Sequence, residues 1–309
     1  MPIHQEAPGV YRIDHGWLEP GFIASYLLTG GERPALVEAG PASTFEALAS
    51  GMREAGVEPE ELRDVLLTHV HLDHAAGAGV LARVAPQARI HVHPRGAAHL
   101  ADPSRLLASA ARIYGDRMDA MWGTILPVPR ERIHTPADGE ALRVAGRTLH
   151  ALDTPGHAAH HLAFHDPEAG LVFTGDVGGI RLEGARHVRP PTPPPELDTP
   201  AWLRSIDRLR RLEPSRLLLT HFGGVDDAAW HLDDLAARLA EWTALARTHA
   251  EAGDGALAAE LRDRTDAELA RAGAPCEVVR RYAESIPYEM MAAGLLRQTR
   301  RSGSSATAR

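Results

Sequence analysis

The amino-acid sequence predicts an α/β or α+β fold, in which a layered body of strands and helices precedes a helical C-terminal extension. Three observations lead to this prediction. Short apolar runs of strand length alternate with helical patterns as far as about residue 224. Polar residues that can bind metals stand directly after several of these runs. Beyond residue 224 the apolar residues recur only at helical spacing, as in Leu232, Leu235, Leu239 and Trp242.

The N-terminal part of the chain reads as strands followed by a helix. Strands are predicted at residues 9–13, 22–28 and 35–37, where the apolar residues alternate or run together. A helix is then expected from the capping-box pattern Ser43-Thr44-Phe45-Glu46, with Gly56 as its end.

The middle of the chain continues the alternation. Its predicted strands are 64–68, 89–93, 147–152, 161–165, 171–174 and 216–220. Its predicted helices are 75–85, stretches near 106–111 and 117–122, and a helix that Thr199 caps. Residues 190–200 are rich in proline, which indicates a stiff extended loop. We therefore expect a domain over 1–225, a helical extension over 226–299 and a disordered tail over 300–309.

The composition limits the class of protein. The chain has 309 residues with 44% hydrophobic and 24% charged residues, which is ordinary for a soluble globular protein. A net charge of −8 gives no general attraction to nucleic acid or to anionic membranes, and no apolar run approaches about 20 residues. The first residues lack the basic and apolar regions of a signal peptide. We expect a cytoplasmic protein whose partner is a small-molecule substrate.

The stretch Thr68–His74 carries the strongest chemical signal. It places three imidazoles and one carboxylate within six residues, directly after the apolar run 65–67. Burying these groups at a strand end is unfavourable unless a partner binds them, and a metal ion is the simplest such partner. Asp73 alone could instead cap the following helix. The single cysteine, Cys276, excludes a zinc site built on cysteines.

Three later segments repeat this arrangement of an apolar strand and a residue that can bind a metal. They deliver His157, Asp176 and His221, each close to a glycine that permits a tight turn. Taken singly, these residues have ordinary explanations as a hydrogen-bonded histidine, a turn aspartate and a strand-end polar residue. Strands that run the same way in one sheet end at one edge, so the three can converge with the loop. Together they favour a metal centre.

This set of residues resembles the five-motif signature of the metallo-β-lactamase-fold superfamily, from about residue 9 to 224. The resemblance implies an α/β four-layer αββα sandwich with the metal centre at one edge between two sheets. It further implies that Asp176 bridges two metals, with three other ligands for each. Seven ligands exceed one tetrahedral zinc and suit two metals about 3.5–4 Å apart. The implied ligands are His69, His71 and His157 for one metal, and Asp73, His74 and His221 for the other.

The chain departs from the family pattern at one position. The family often has an aspartate after its early strand, where that residue supports the metal loop, whereas this chain has Glu38. We expect Glu38 to take this supporting part with a longer side chain. His161 is a further candidate for a hydrogen bond near the centre. The remaining histidines, including His91, His93, His134, His150 and His160, are expected to have ordinary structural roles.

We expect two divalent metals, with zinc first and iron or manganese as alternatives. A centre of this kind indicates a hydrolase. Asp73 is the candidate catalytic residue, because it could orient a water molecule or return a proton. The motif resembles the glyoxalase II-like and lactonase-like branches more than zinc β-lactamases, which usually have a cysteine in the second site. A small thioester, ester or lactone is therefore the expected substrate.

Other functions remain open on the sequence alone. Persulfide dioxygenases of the superfamily use comparable ligands around one iron, and a β-lactamase, a phosphodiesterase, a nuclease or a non-catalytic binding protein are further alternatives. Residues 95–135, with Tyr114, Met118, Met121 and Trp122, form either a lid or pocket wall or an ordinary packed segment. The helical extension is a natural place for a homodimer contact.

Overall fold

The structure is a computed structural model that describes residues 3–31, 33–251 and 253–307. These residues form two compact units, each of which draws on several stretches of the chain. The first unit comprises the described residues up to Asp153, together with His160–Gly175 and Arg216–Gly224. The second comprises Thr154–Ala159, Asp176–Ser215 and the described residues from Val225 onward. The predicted boundary between a domain over 1–225 and a helical extension over 226–299 stays a prediction.

Two β-sheets form the framework of the first unit. The strands are β1 His4–Ala7, β2 Val10–Asp14, β3 Ala24–Leu28, β4 Ala35–Val37, β5 Asp64–Leu66, β6 Arg89–His91, β7 Ile133–His134, β8 Ala141–Val144, β9 Arg147–Asp153, β10 Leu162–Asp166, β11 Leu171–Phe173, β12 Arg216–Leu219 and β13 Gly223–Val225. In one sheet β1 to β7 follow one another in chain order, with parallel pairing from β4 to β7. In the other sheet the order is β13-β12-β11-β10-β9-β8, and β11 and β12 are parallel.

Tyr26 of β3 joins the two sheets in the interior. It is 1% exposed, its hydroxyl donates to the carbonyl of Leu219 at 2.5 Å, and its ring meets Phe173 edge-on at 5.5 Å. The backbone N–H of Ala24 donates to the carbonyl of Thr220 at 2.9 Å. A fully buried large side chain stabilises the folded state by about 1.5–3 kcal/mol, and the hydrogen bond satisfies its polar end. The α/β class is confirmed.

Six helices belong to the first unit as described. They are α1 Phe45–Glu54, α2 Leu72–Ala75, α3 Ala78–Val84, α4 Pro94–Ala101, α5 Ser104–Tyr114 and α6 Met118–Trp122. The predicted capping box at α1 is wrong, because no side chain caps this helix. Ser43 instead donates to the carbonyl of Met121, and Thr44 donates to that of Pro41. Hydroxyl groups near a helix start have several backbone acceptors within reach, and tertiary contacts select among them.

The predicted helix 75–85 is divided in the structure. Its first part, α2, begins inside the His-rich stretch with His71 at its N-cap position. No helix is predicted directly after the strand 89–93, whereas Pro94 opens α4 and His93 caps it by accepting from the N–H of Arg95. Proline suits the first turn of a helix, since its ring fixes a helical φ and its missing donor has no partner there.

The second unit contains five helices, α7 Thr199–Arg210, α8 Ala228–Thr248, α9 Asp254–Arg271, α10 Cys276–Ser285 and α11 Tyr288–Thr307. Asp198, rather than the predicted Thr199, caps α7 by accepting from the N–H of Ala201 at 2.9 Å. The segment 300–309 is expected to be disordered, whereas α11 covers its residues 300–307, and residues 308–309 lie outside the described part of the chain. A helix that is already nucleated extends without forming a new nucleus. Among the described residues, no helix is both long and apolar enough to cross a bilayer.

Candidate metal centre

The His-rich loop follows β5, which pairs in parallel with β4 on one side and β6 on the other. His69 is fully buried, and its Nε2 atom lies 2.9 Å from Nδ1 of His71. The ring of His74 lies 4.0 Å from that of His69, measured between centroids. Three imidazoles therefore lie close together within six residues of the chain. Such crowding fits a shared ion better than three independent hydrogen bonds.

Asp73, His74 and His221 form a group that could hold a metal ion, because each offers a ligand atom within 4.8 Å of the others. The Oδ2 atom of Asp73 lies 3.6 Å from Nε2 of His74 and 3.4 Å from Nε2 of His221. His221 follows β12, and its Nδ1 donates to the carbonyl of Phe22 at 2.7 Å. That carbonyl can only accept, so Nε2 is the ligand atom that His221 turns toward Asp73.

Glu38 lies behind this group at the end of β4. It is fully buried and adopts a φ of +67°. Its carboxylate accepts from Nδ1 of His74 at 3.0 Å, from the hydroxyl of Thr68 at 2.5 Å and from that of Thr220 at 3.2 Å. The N–H of Thr68 donates to it as well, at 3.2 Å. These four bonds offset the cost of burying the carboxylate, and they fix the ring of His74 with Nε2 toward Asp73.

His15 is a buried neighbour of the centre that the sequence did not reveal. Its ring nitrogens lie 2.8 Å from the hydroxyl of Thr44 and 2.7 Å from that of Ser25, which donates to the backbone carbonyl of Glu38. Burial, and then the charge of His74, lower the pKa of His15 to about 3, so the ring is neutral. No local motif marks His15, because its two partners, Thr44 and Ser25, come from separate stretches of the chain.

His160 and His161 also lie beside the loop. His161 is fully buried, with its ring centroid 5.1 Å from that of His69. His160, which was expected to have an ordinary role, stacks on His69 at 6.1 Å and meets His71 edge-on at 5.8 Å. Gly175 makes this packing feasible, since a Cβ there would lie 2.7 Å from Nε2 of His161. Its φ of +52° also favours glycine.

The second unit holds the two remaining candidate ligands, His157 and Asp176. Nε2 of His157 lies 3.2 Å from Oδ2 of Asp176, and both residues are buried. Nδ1 of His157 donates to the carbonyl of Pro191 at 2.9 Å. Trp202 of α7 holds both segments, because its ring meets His157 edge-on at 5.7 Å and its Nε1 donates to the carbonyl of Val177 at 2.9 Å.

The segment after α4 packs beside the His-rich loop in the first unit. Trp122 is 3% exposed, stacks on Trp17 at 4.9 Å and meets Tyr114 edge-on at 5.1 Å. Leu72, next to Asp73, belongs to the same apolar cluster. Burial, and then the charge of Asp73, raise the pKa of Tyr114 to about 12, so its hydroxyl stays protonated. The segment therefore forms an aromatic wall beside Asp73.

The donor set fits divalent metals. The first unit brings together five of the seven predicted ligands, and the second unit brings together the other two. His74, His221 and His157 each have Nδ1 tied to an oxygen, which leaves Nε2 as the ligand atom. Imidazole and carboxylate donors suit zinc, iron and manganese.

Comparisons with known proteins agree with this description. Residues 18–221 match the family model described as the metallo-beta-lactamase superfamily. A metallo-beta-lactamase fold-containing protein of Sulfurisphaera tokodaii is 25% identical over 70% of this chain and 78% of its own length. A hydroxyacylglutathione hydrolase of Jannaschia sp. is 28% identical, over 53% of this chain and 49% of that relative. The structure of a metallo-beta-lactamase family protein from Thermus thermophilus has a TM-score of 0.67, with 24% identity over 96% of this chain and 95% of that one. At this identity the structural likeness shows the fold.

Proposed function

Because this chain belongs to the metallo-beta-lactamase superfamily, we propose that it is a metal-dependent hydrolase of a small acyl thioester, ester or lactone. The observation that carries the proposal is the group of Asp73, His74 and His221, with Glu38 fixing His74 from behind. A buried carboxylate that orients a metal-binding imidazole is a recurrent arrangement in metalloenzymes. An ordinary structural role would not require three residues to aim ligand atoms at one point.

The proposed centre holds two metals, with zinc expected first. One would be bound by His69, His71 and His157, the other by Asp73, His74 and His221, and Asp176 would bridge the two. Support comes from the 2.9 Å approach of His69 to His71 and the 3.2 Å approach of His157 to Asp176. The matching order of the ligands in the family signature adds to it. Iron and manganese are the alternatives that metal analysis must test.

The reaction is the addition of water to an acyl carbonyl, followed by release of an alcohol or a thiol. Bound metals would supply the activation of water and the polarisation of the carbonyl. Asp73, whose side chain is 22% exposed, can accept a hydrogen bond from the attacking water and so orient it. The C–O or C–S bond to the leaving group then breaks, and the proton lost by the water ends on that group. Tyr114 stays protonated and can donate a hydrogen bond beside Asp73.

The substrate class rests on two further observations. A relative carries the name hydroxyacylglutathione hydrolase, which denotes hydrolysis of an acyl group from glutathione. Trp17 and Tyr114, which are partly exposed and pack against the buried Trp122, supply an apolar surface beside Asp73. Such a surface suits an acyl chain better than a phosphodiester. We therefore rank an acyl thioester or lactone above a β-lactam or a nucleic acid.

The test combines metal analysis with a substrate panel. The purified protein is analysed for bound metals by mass spectrometry and assayed with S-lactoylglutathione, an acyl-homoserine lactone, a β-lactam and a phosphodiester. We expect about two metals per chain and turnover of the thioester or the lactone, which a chelator abolishes. One iron per chain with oxygen consumption would instead identify a persulfide dioxygenase-like oxidoreductase. Turnover of the β-lactam or the phosphodiester alone would overturn the proposed substrate class.

A further inference from the structure

The backbone around Pro191 connects both candidate ligands of the second unit. The carbonyl of Pro191 accepts the Nδ1–H of His157 at 2.9 Å. Two residues earlier, Arg189 exchanges two backbone hydrogen bonds with Ile180, at 2.8 and 2.9 Å. Ile180 lies four residues after Asp176. A shift of the segment 189–192 would therefore be transmitted to His157 directly and to Asp176 through Ile180.

Arg189 anchors this segment to the end of α10. Its side chain is fully buried, and its guanidinium donates to the carbonyl of Tyr282 and to the hydroxyl of Ser285. The guanidinium carbon also lies 5.6 and 5.2 Å from the ring centroids of Tyr282 and Tyr288. The last carbonyls of a helix lack partners within the helix and carry partial negative charge. The end of α10 and the two aromatic faces thus make the buried cation tolerable.

Helix α11 rests on the same segment from the other side of Pro191. The hydroxyl of Thr192 donates to the carbonyl of Met291 at 3.1 Å. A Cβ on Gly294 would lie 2.0 Å from the carbonyl oxygen of Thr192 and 2.8 Å from the carbonyl carbon of Pro193. Only glycine lets the helix approach the loop backbone this closely. The loop is therefore held by Arg189 on one side of Pro191 and by α11 on the other.

We infer that α10 and α11 position a metal ligand: they hold the carbonyl of Pro191 in place, and this carbonyl fixes the ring of His157. Arg189 and Gly294 are then positioning residues that act through Pro191. The inference rests on the proposed function, because it requires His157 to bind a metal. It gives the helical C-terminal region a role at the metal centre. The hydrogen bond on Nδ1 decides which nitrogen of His157 is free to coordinate, and at what angle.

The test compares two substitutions of helical glycine by alanine. Gly294→Ala forces the loop away from α11, whereas Gly255→Ala in α9 places its methyl group where no atom lies within 4 Å. Both changes replace a helical glycine by alanine, and the two sites differ in what the added methyl group meets. Zinc affinity is measured by competition with a chromophoric chelator. We expect Gly294→Ala to weaken zinc binding by about 10–100-fold. Gly255→Ala should bind zinc as the wild type does.

A second variant keeps the test decisive if Gly294→Ala does not fold, as judged by near-ultraviolet circular dichroism. Ser285→Ala removes one partner of the Arg189 guanidinium without any new bulk, and it should weaken zinc binding in the same direction but less. If the folded variants bind zinc as tightly as the wild type, the positioning role is wrong while the proposed function stands. If the wild type itself binds no metal, the proposed function fails first.

Discussion

The metal loop of the first unit and the His157–Asp176 pair of the second unit are supported in different ways. In the loop, His74 is oriented by a buried carboxylate, Glu38, which also binds two threonine hydroxyls. In the second unit, His157 is oriented by a neutral carbonyl, that of Pro191. A carboxylate forms a charge-assisted bond of roughly twice the strength and raises the basicity of the imidazole. His74 is therefore held by a charged hydrogen-bond partner, whereas the orientation of His157 depends on where the loop places the carbonyl of Pro191.

Removing the proposed bridging ligand should give the largest effect. Asp176→Ala deletes the carboxylate that lies 3.2 Å from His157. If Asp176 contacts both metals, the change abolishes metal binding and hydrolysis together, as measured by metal content and turnover. Asp119→Ala, on an exposed residue of α6, is the matched control and should change neither. A variant that lost activity but kept two metals per chain would show that Asp176 does not bridge them.

Neutralising the carboxylate behind the loop should have the next largest effect. Glu38→Gln keeps the size of the side chain but removes the charge that meets His74. Zinc affinity should fall by about 10–100-fold, and at least as far as in Gly294→Ala, because the lost bond is charge-assisted. Glu46→Gln, on the exposed side of α1, is the control. If Glu38→Gln binds zinc as tightly as the wild type, the charge of Glu38 does not support His74 more strongly than the carbonyl of Pro191 supports His157.

The candidate ligands of both regions could be predicted from the sequence better than the groups that support them. The ligand residues stand in short motifs at strand ends, so their type and order could be predicted from local patterns. Glu38 could also be anticipated, because it occupies a position at which the family has a supporting carboxylate. The carbonyl of Pro191 could not, since every residue has a carbonyl and only the fold brings this one to His157. His15 and the early start of α2 escaped prediction for the same reason, namely that their contacts are tertiary.

The aromatic wall beside the loop should affect the substrate more than the metal. Trp122→Ala removes a ring that is stacked on Trp17 and in contact with Tyr114. We expect KM for the accepted thioester or lactone to rise several-fold with metal content unchanged, and the stability of the folded state to fall by about 3–5 kcal/mol. Ile113→Ala, on the half-exposed face of α5, is the control for kinetics and denaturant unfolding. An unchanged KM in a folded variant would mean that the segment has only a structural role and does not border the substrate.

The last difference between the regions concerns stability at low pH. Here we expect the smallest effect on activity. Burial lowers the pKa of His231 in the second unit from 6.5 to about 4, although Nε2 of its ring donates to the carbonyl of Gly178 at 2.7 Å. Between these two pH values the unfolded chain binds a proton that the folded chain does not, so the folded state loses stability as the pH falls. The loss amounts to about 3 kcal/mol for this one residue.

His231→Gln should remove that part of the pH dependence while keeping a donor for Gly178. The measurement is denaturant unfolding from pH 6.5 to 4 in the presence of a chelator, so that metal release does not contribute. His15 in the first unit, with a pKa of about 3, should impose a loss of the same sign in the wild type and in the variant. An unchanged slope in His231→Gln would mean that the pKa of His231 is not lowered in the folded state.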